Sequence, residues 1–170
     1  MSRKVPLRWE SACAAYRVVI RQRCVDELIE TATKHLPDET GSSIYGFYSN
    51  DGKTAVVVGM STMPADSEYS ASWFLRGVRG LTDFFKELFT RTHGSRYYVG
   101  EWHSHPLSSV RPSRLDWAEQ REIATDASMQ CPECILLILG GEFRENPKLG
   151  VFVYSRESGR EISLRPERVS

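Results

Sequence analysis

The sequence predicts a single α/β domain over residues 1–170, with one mixed sheet and three helices. Three observations carry this. Two stretches space their apolar residues with the helical period and a third opens on the Ser113 N-cap, and seven short runs are rich in β-branched and aromatic residues. One of those runs, CILLILG at residues 134–140, is apolar without a break, as in a strand buried on both faces. A chain of 170 residues can bury roughly 70% of its unfolded surface and needs no metal or disulfide merely to fold.

Residues 16–20 (YRVVI) form the first strand-like run. Val25, Leu28, Ile29, Ala32 and Leu36 then fall at i, i+3, i+4, i+7 and i+11, an amphipathic helix that Pro37 ends. Residues 42–49 (SSIYGFYS) and 54–60 (TAVVVGM) read as a hairpin across the Asn50-Asp51-Gly52 turn. Residues 63–72 are polar and read as a loop. A second helix is expected to place Phe74, Val78, Leu81, Phe85, Leu88 and Phe89 near one face, although Gly77 and Gly80 weaken it by up to ~1 kcal/mol each. Residues 96–105 (RYYVGEWHSH) are a strand, and residues 106–112 a loop bounded by two prolines. A third helix runs from Ser113 to about Ser128. Beyond the buried strand at 134–140, residues 150–155 and 160–165 pair through the Glu157-Ser158-Gly159 turn.

Composition excludes several classes of function. Lys plus Arg number 22 and Asp plus Glu 22, so bulk charge gives no pull toward nucleic acid. The basic residues near both ends read as solvated termini. No apolar run approaches the roughly 18 residues of a membrane span, and MSRKVPLRWE lacks the apolar centre of a secretory signal. Cys13, Cys24, Cys131 and Cys134 are too unevenly spaced for a disulfide framework, and the expected compartment is the reducing cytoplasm. Cys131-Pro-Glu-Cys134 has the spacing of half a zinc knuckle, but no second close pair completes it. His35 and His93 are expected at the surface, at helix ends.

The chemistry concentrates in GEWHSHPLSSVRPSRLDW, residues 100–117. Residues i and i+2 of a strand point to one side, so His103 and His105 present two imidazoles together. A catalytic zinc site takes three protein ligands and a water, and imidazole and carboxylate both serve. With Ser113 as N-cap, Asp116 falls at the third helical position, where the first turn can aim its carboxylate back across the loop. The same Ser-x-x-Asp is also an ordinary capping pair that favours the helix dipole.

His103-Ser104-His105, seven residues, then Ser113-Arg114-Leu115-Asp116 resembles the metal-binding signature of the JAMM (JAB/MPN/Mov34) metalloproteases. Glu39-Thr40-Gly41 matches that family's upstream Glu-x-Gly, and GEWHSHP with PSRLD resembles its prokaryotic JAB branch. Ser42 departs from the pattern, standing where many members have a second glycine. The resemblance spans roughly residues 16 to 155. It implies a JAB/MPN-like (cytidine deaminase-like) domain, a mixed curved sheet flanked by three helices. It also implies one Zn2+ per chain on His103, His105 and Asp116. Ser113 is then either a helix cap or, as in the family, a group that steadies the oxyanion.

Two glutamates are placed to act as the base. Glu101 lies two residues before His103, and local strand geometry favours it; the resemblance favours Glu39. We take Glu39, because a base must sit beside the water, whereas a strand neighbour of a ligand more naturally orients that ligand by accepting its free N–H. Ser104, between the ligands, points away from them and reads as structural.

Members of the family cleave isopeptide or peptide bonds after the tail of ubiquitin or a ubiquitin-like protein. Prokaryotic members often accompany E1-like and E2-like conjugating enzymes, including in anti-phage operons where a JAB protein detaches a cGAS-like nucleotidyltransferase from its targets. The resemblance therefore implies that the extended C-terminal tail of such a conjugate is the partner, with no nucleic acid and no membrane. The alternatives are a peptidase for a sulfur-carrier protein or small cysteine conjugate, or a non-catalytic scaffold. The tail is expected to add as a strand near residues 63–74 and the loop 106–112, with Trp73 supplying contact area.

Overall fold

The computed structural model describes Val5 and residues 7–167. Its elements in chain order are β1 (Arg8–Ser11), β2 (Arg17–Ile20), α1 (Gln22–His35), β3 (Gly41–Tyr48), β4 (Thr54–Met60), β5 (Glu68–Ser70), β6 (Trp73–Leu75), α2 (Leu81–Arg91), β7 (Tyr97–Pro106), α3 (Arg114–Thr125), β8 (Glu133–Glu142), β9 (Asn146–Ser155) and β10 (Arg160–Pro166). A single 3-10 turn, Ala127–Met129, follows α3.

The expected mixed sheet and three helices are present, but the sheet is a closed barrel, not an open curved sheet. Eight strands run β1-β10-β9-β8-β7-β3-β4-β2, and β1 closes the ring by pairing with both β2 and β10. The pairs β2–β4 and β7–β8 are parallel. The barrel-closing strand begins at Arg8, which is exposed as expected of the basic residues near this end; residues 1–4 and 6 lie outside the described residues. Trp9 of this strand is buried and joins the main core.

β8 shows why its apolar run is unbroken. Ile135, Leu137 and Leu139 join the core cluster shared with Val25, Leu28 and Ala32 of α1. Leu136 and Ile138 turn the other way, with Phe152, against Val110 and Trp117 on the α3 side. Both faces are dry, so no position is left for a polar residue.

The second helix differs most from expectation. It begins at Leu81, and Phe74 belongs instead to β6, which pairs with β5 as a separate two-stranded sheet. The i, i+4 spacing of Phe74 and Val78 only mimics a helix. Gly80, at φ +81°, provides the left-handed residue before the first turn. The Asp66 carboxylate accepts from the backbone N–H groups of Val78 (3.1 Å) and Arg79 (3.0 Å), which pins the turn between β6 and α2. α3 starts as expected, with Ser113 as N-cap and a complete Ser113/Asp116 capping box, but ends at Thr125.

No described helix is long and apolar enough to cross a membrane. All four cysteines are free. Cys131 and Cys134 are buried in a small cluster with Ala124 and Tyr154, where they pack as apolar side chains. His93 is exposed beyond α2 and His35 is half-buried at the end of α1.

Candidate metal centre

β7 builds one side of the site. Its alternation turns Trp102 into the main core, while Glu101 and His103 line a cavity facing α3. α3 supplies Asp116 from the other side. Among the described residues, His103, His105 and Asp116 form the one metal-capable group of at least three such side chains, with ligand atoms within 4.8 Å of one another.

The separations suit a small tetrahedral ion. His103 Nε2 lies 3.0 Å from His105 Nε2 and 3.3 Å from Asp116 Oδ1, and His105 Nε2 lies 3.9 Å from Asp116 Oδ2. Ligands ~2.0–2.1 Å from a zinc ion sit about 3.3–3.4 Å apart in a tetrahedron, so the set fits. The protonation states suit it too. His105 Nδ1 lies 2.9 Å from the Ser109 carbonyl oxygen. Donation there places the proton on Nδ1 and leaves the Nε2 lone pair facing the cluster. Burial, aided by the neighbouring His103, lowers the His105 pKa and favours the neutral ring. Burial opposes ionisation of Asp116, but the hydrogen bond and charge of His103, with the Ser113 contacts, outweigh it and hold the carboxyl well below its usual range.

Glu39 lies two residues before β3, which pairs with β7 so that Gly41 faces His103, and its carboxyl feels the charges of His103 and Asp116. A Cβ at Gly41 would strike the Trp102 carbonyl oxygen and lie 2.9 Å from the His103 Cβ and 2.7 Å from the Phe74 ring. The close approach therefore needs glycine, which gives Glu-x-Gly a physical reason. Ser104 ties the two segments together. Its hydroxyl accepts from Thr40 N–H at 3.0 Å, and its own N–H donates to the Thr40 carbonyl at 2.8 Å. The Glu39 N–H donates to the Ser70 carbonyl of β5 at 2.8 Å. Ser42 is absorbed by packing: it accepts from the Trp102 indole and donates to the Ser61 carbonyl, both at 2.8 Å.

The Glu39 side chain is 7% exposed and makes no hydrogen bond or ion pair with the described residues. Burial pushes its carboxyl up to about 7, with His103 opposing and Asp116 adding to the rise. Glu101 is the opposite case. It pairs with Arg76 at 2.7 Å and accepts from the hydroxyls of Tyr98 (2.6 Å) and Ser43 (3.1 Å). The expected bond from Glu101 to a ligand histidine is not formed; Ser109 holds His105 instead.

The sequence reading missed Arg76, Ser109 and Glu119. Ser109 acts through its backbone, which leaves no sequence signal. Arg76 was hidden by the mistaken helix. Glu119 sits one turn beyond Asp116, a spacing that was available. Ser113 is exposed at the helix start, and its hydroxyl accepts from Asp116 N–H at 3.1 Å. Phe74 stacks on His103 with ring centres 6.5 Å apart, so the β5–β6 hairpin covers one side of the centre.

Comparison with known proteins agrees with this architecture. The family model for prokaryotic homologues of the JAB domain matches residues 21–155. A CD-NTase/cGAS isopeptidase of Enterobacter hormaechei subsp. hoffmannii (strain UCI 50) is 39% identical over 134 residues, 79% of this chain and 73% of that protein. A protein of the same name from Vibrio cholerae serotype O1 is 42% identical over 57 residues, 32% of each chain. The solution structure of a protein from Desulfitobacterium hafniense shares the fold, with a TM-score of 0.58 at 18% identity over 90% of this chain and 91% of that one. The family match covers α1 through β9, the segment that holds His103, His105, Asp116 and Glu39. This chain belongs to the prokaryotic homologues of the JAB domain.

Proposed function

We propose that this chain is a zinc-dependent isopeptidase, with His103, His105 and Asp116 as ligands, Glu39 as base and Ser113 as an oxyanion donor. The observation that carries the reading is the convergence of two imidazoles and a carboxylate within 4.8 Å, with a buried, unpartnered glutamate beside them. A zinc ion held there would polarise the scissile carbonyl and make water nucleophilic near neutral pH. Glu39 takes the proton that the attacking water sheds and returns it to the lysine nitrogen as the C–N bond breaks. The Ser113 hydroxyl, which accepts from the helix backbone, keeps its own proton to donate to the developing oxyanion.

The substrate is the C-terminal tail of a conjugated protein, and the relative's name supports a cGAS-like nucleotidyltransferase in bacterial antiviral defence. Tyr69, Trp73 and Leu75 are exposed on the hairpin beside the centre. An extended tail adds there as a further strand, its main chain bonding to the hairpin edge. A small cysteine conjugate would leave these apolar side chains uncovered, which favours a protein substrate. The four free thiols are in keeping with action in the cytoplasm.

Metal analysis and cleavage assays test the reading together. Purified protein is expected to hold one zinc per chain, to lose cleavage of an isopeptide-linked nucleotidyltransferase tail under a strong chelator, and to regain it with zinc. Cleavage that persists without metal, or turnover confined to small cysteine conjugates, would refute it.

A further inference from the structure

The chain leaving the metal centre carries a leucine in a conformation that suits glycine. His105, Pro106, Leu107 and Ser108 form a β-turn, in which the Ser108 N–H donates to the His105 carbonyl at 3.2 Å. Leu107, the third residue, lies at φ +56°. A turn with proline second and positive φ third ordinarily takes glycine there. The other non-glycine residues at positive φ among those described, Ala14, His93 and Gln130, are small or polar. Leu107 is neither, and at 78% exposed it gains little from the core to offset the strain. Strain of this kind beside a reacting centre calls for a role outside the fold.

The turn is pinned to β8. The Leu107 N–H donates to the Gly141 carbonyl and the Gly141 N–H to the Ser108 carbonyl, both at 3.3 Å. Leu107 thereby walls a second cavity, of about 220 Å³, together with Leu36, the buried Phe143 and the turn between β8 and β9. Leu36 is itself 48% exposed. It lies three residues before Glu39, and Leu107 lies two after His105. The cavity is therefore walled by the segment that leads into the base and the segment that leaves a ligand. The scissile bond has two sides. Its acyl tail takes the edge of the β5–β6 hairpin. Its nitrogen receives a proton from Glu39, so the amine departs beside that residue. Behind the nitrogen comes the four-carbon stem of lysine, which packs readily on apolar surface.

We infer that Leu107 and Leu36 form the subsite for the stem of the modified lysine, and that Leu107 selects an isopeptide over a linear peptide bond. The inference rests on the isopeptidase reading for its choice of ligand. A linear peptide bond carries a backbone carbon and the next carbonyl directly behind its nitrogen, so it brings no apolar stem to this wall. The first turn of the loop 106–112 thus serves the amine side, and the hairpin serves the tail. Leu107 is a specificity residue and takes no part in the proton transfers.

Two substrates with the same acyl tail test this, one joined to a lysine side chain and one joined to glycine through a linear peptide bond. Wild-type protein is expected to favour the isopeptide about tenfold in kcat/KM, the low end of what one methylene is worth in an apolar pocket. Leu107→Gly and Leu107→Asn both suit a left-handed residue, so neither should lower the thermal midpoint. Each should bring the preference within about twofold, through a fall in isopeptide cleavage. Equal cleavage of both substrates by the wild type, or a preference that survives both substitutions, would overturn the inference. If the wild type cleaves neither, the isopeptidase reading fails instead. Binding of an Nε-acetyl-lysine peptide, measured by fluorescence anisotropy, then decides the subsite. Weaker binding to Leu107→Asn supports it, and equal binding to both proteins overturns it.

Discussion

Two buried glutamates, Glu101 on β7 and Glu39 just before its partner β3, have opposite surroundings. Around Glu101 both carboxylate oxygens are engaged, by Arg76, Tyr98 and Ser43. Around Glu39 the described residues offer no partner, only the charges of His103 and Asp116. A carboxylate surrounded by donors holds structure together, because its protonation is already opposed by every neighbour. A carboxylate buried without donors is costly to the fold, and the cost makes sense where a proton must come and go near neutral pH. Burial pushes both carboxyls up, but at Glu101 the Arg76 charge and the hydroxyl donors pull back.

That contrast can be broken by substitution. The largest effect on stability is expected at Glu101. Glu101→Gln leaves the largely buried Arg76 guanidinium without its counter-charge, and should cost roughly 3 kcal/mol in denaturant unfolding. Loss of zinc with little loss of stability would show instead that Glu101 serves the ligands.

A smaller and pH-dependent effect belongs to Glu39 in metal-free protein. Its folded pKa of about 7 lies above the ordinary carboxyl value of 4.5, so the folded state holds the extra proton between those values. The associated stability is complete below about 4.5 and is lost as pH rises through about 7. Glu39→Gln cannot ionise. Its stability relative to wild type should therefore increase between pH 5 and 8, by roughly 1–3 kcal/mol at 1.36 per pK unit, and show no trend below 4.5. A constant difference across that range would mean that Glu39 is ordinarily solvated. Bound zinc should shift the change to lower pH, since a cation favours the carboxylate.

Ser104 sharpens the comparison at a smaller scale. Ser104→Ala deletes the hydroxyl that holds Thr40 beside the β7 ligands and leaves the Thr40 N–H without its acceptor. A stability loss of about 1–2 kcal/mol is expected, together with a fall in kcat larger than any change in KM. An unchanged kcat would separate the placement of Glu39 from this clamp.

The legible parts of the molecule were those with local patterns. The α1 spacing, the Ser113–Asp116 cap and the His103/His105 alternation each fix their geometry within one element, and the structure brings them together as read. The barrel closure was not legible. β1 has four residues, and its pairing with β10 joins Trp9 to Pro166, a contact that no local period encodes. The three-residue strands β5 and β6 are too short to show alternation, so Phe74 was assigned to a helix when it covers His103. The pairing of Glu101 with Arg76 depended on that same turn. It could not be seen until the hairpin was placed.

The division of labour between the two glutamates is tested most directly by single-turnover cleavage of an isopeptide substrate by zinc-loaded Glu39→Gln and Glu101→Gln, with zinc content measured on the same samples. Glu39→Gln should keep its zinc and lose the chemical step by ~10²–10⁴-fold, the usual scale for a lost general base. Glu101→Gln, where it remains folded, should keep most of its single-turnover rate. A zinc-loaded Glu101→Gln that cannot cleave, beside a Glu39→Gln that can, would contradict the account and make Glu101 the base.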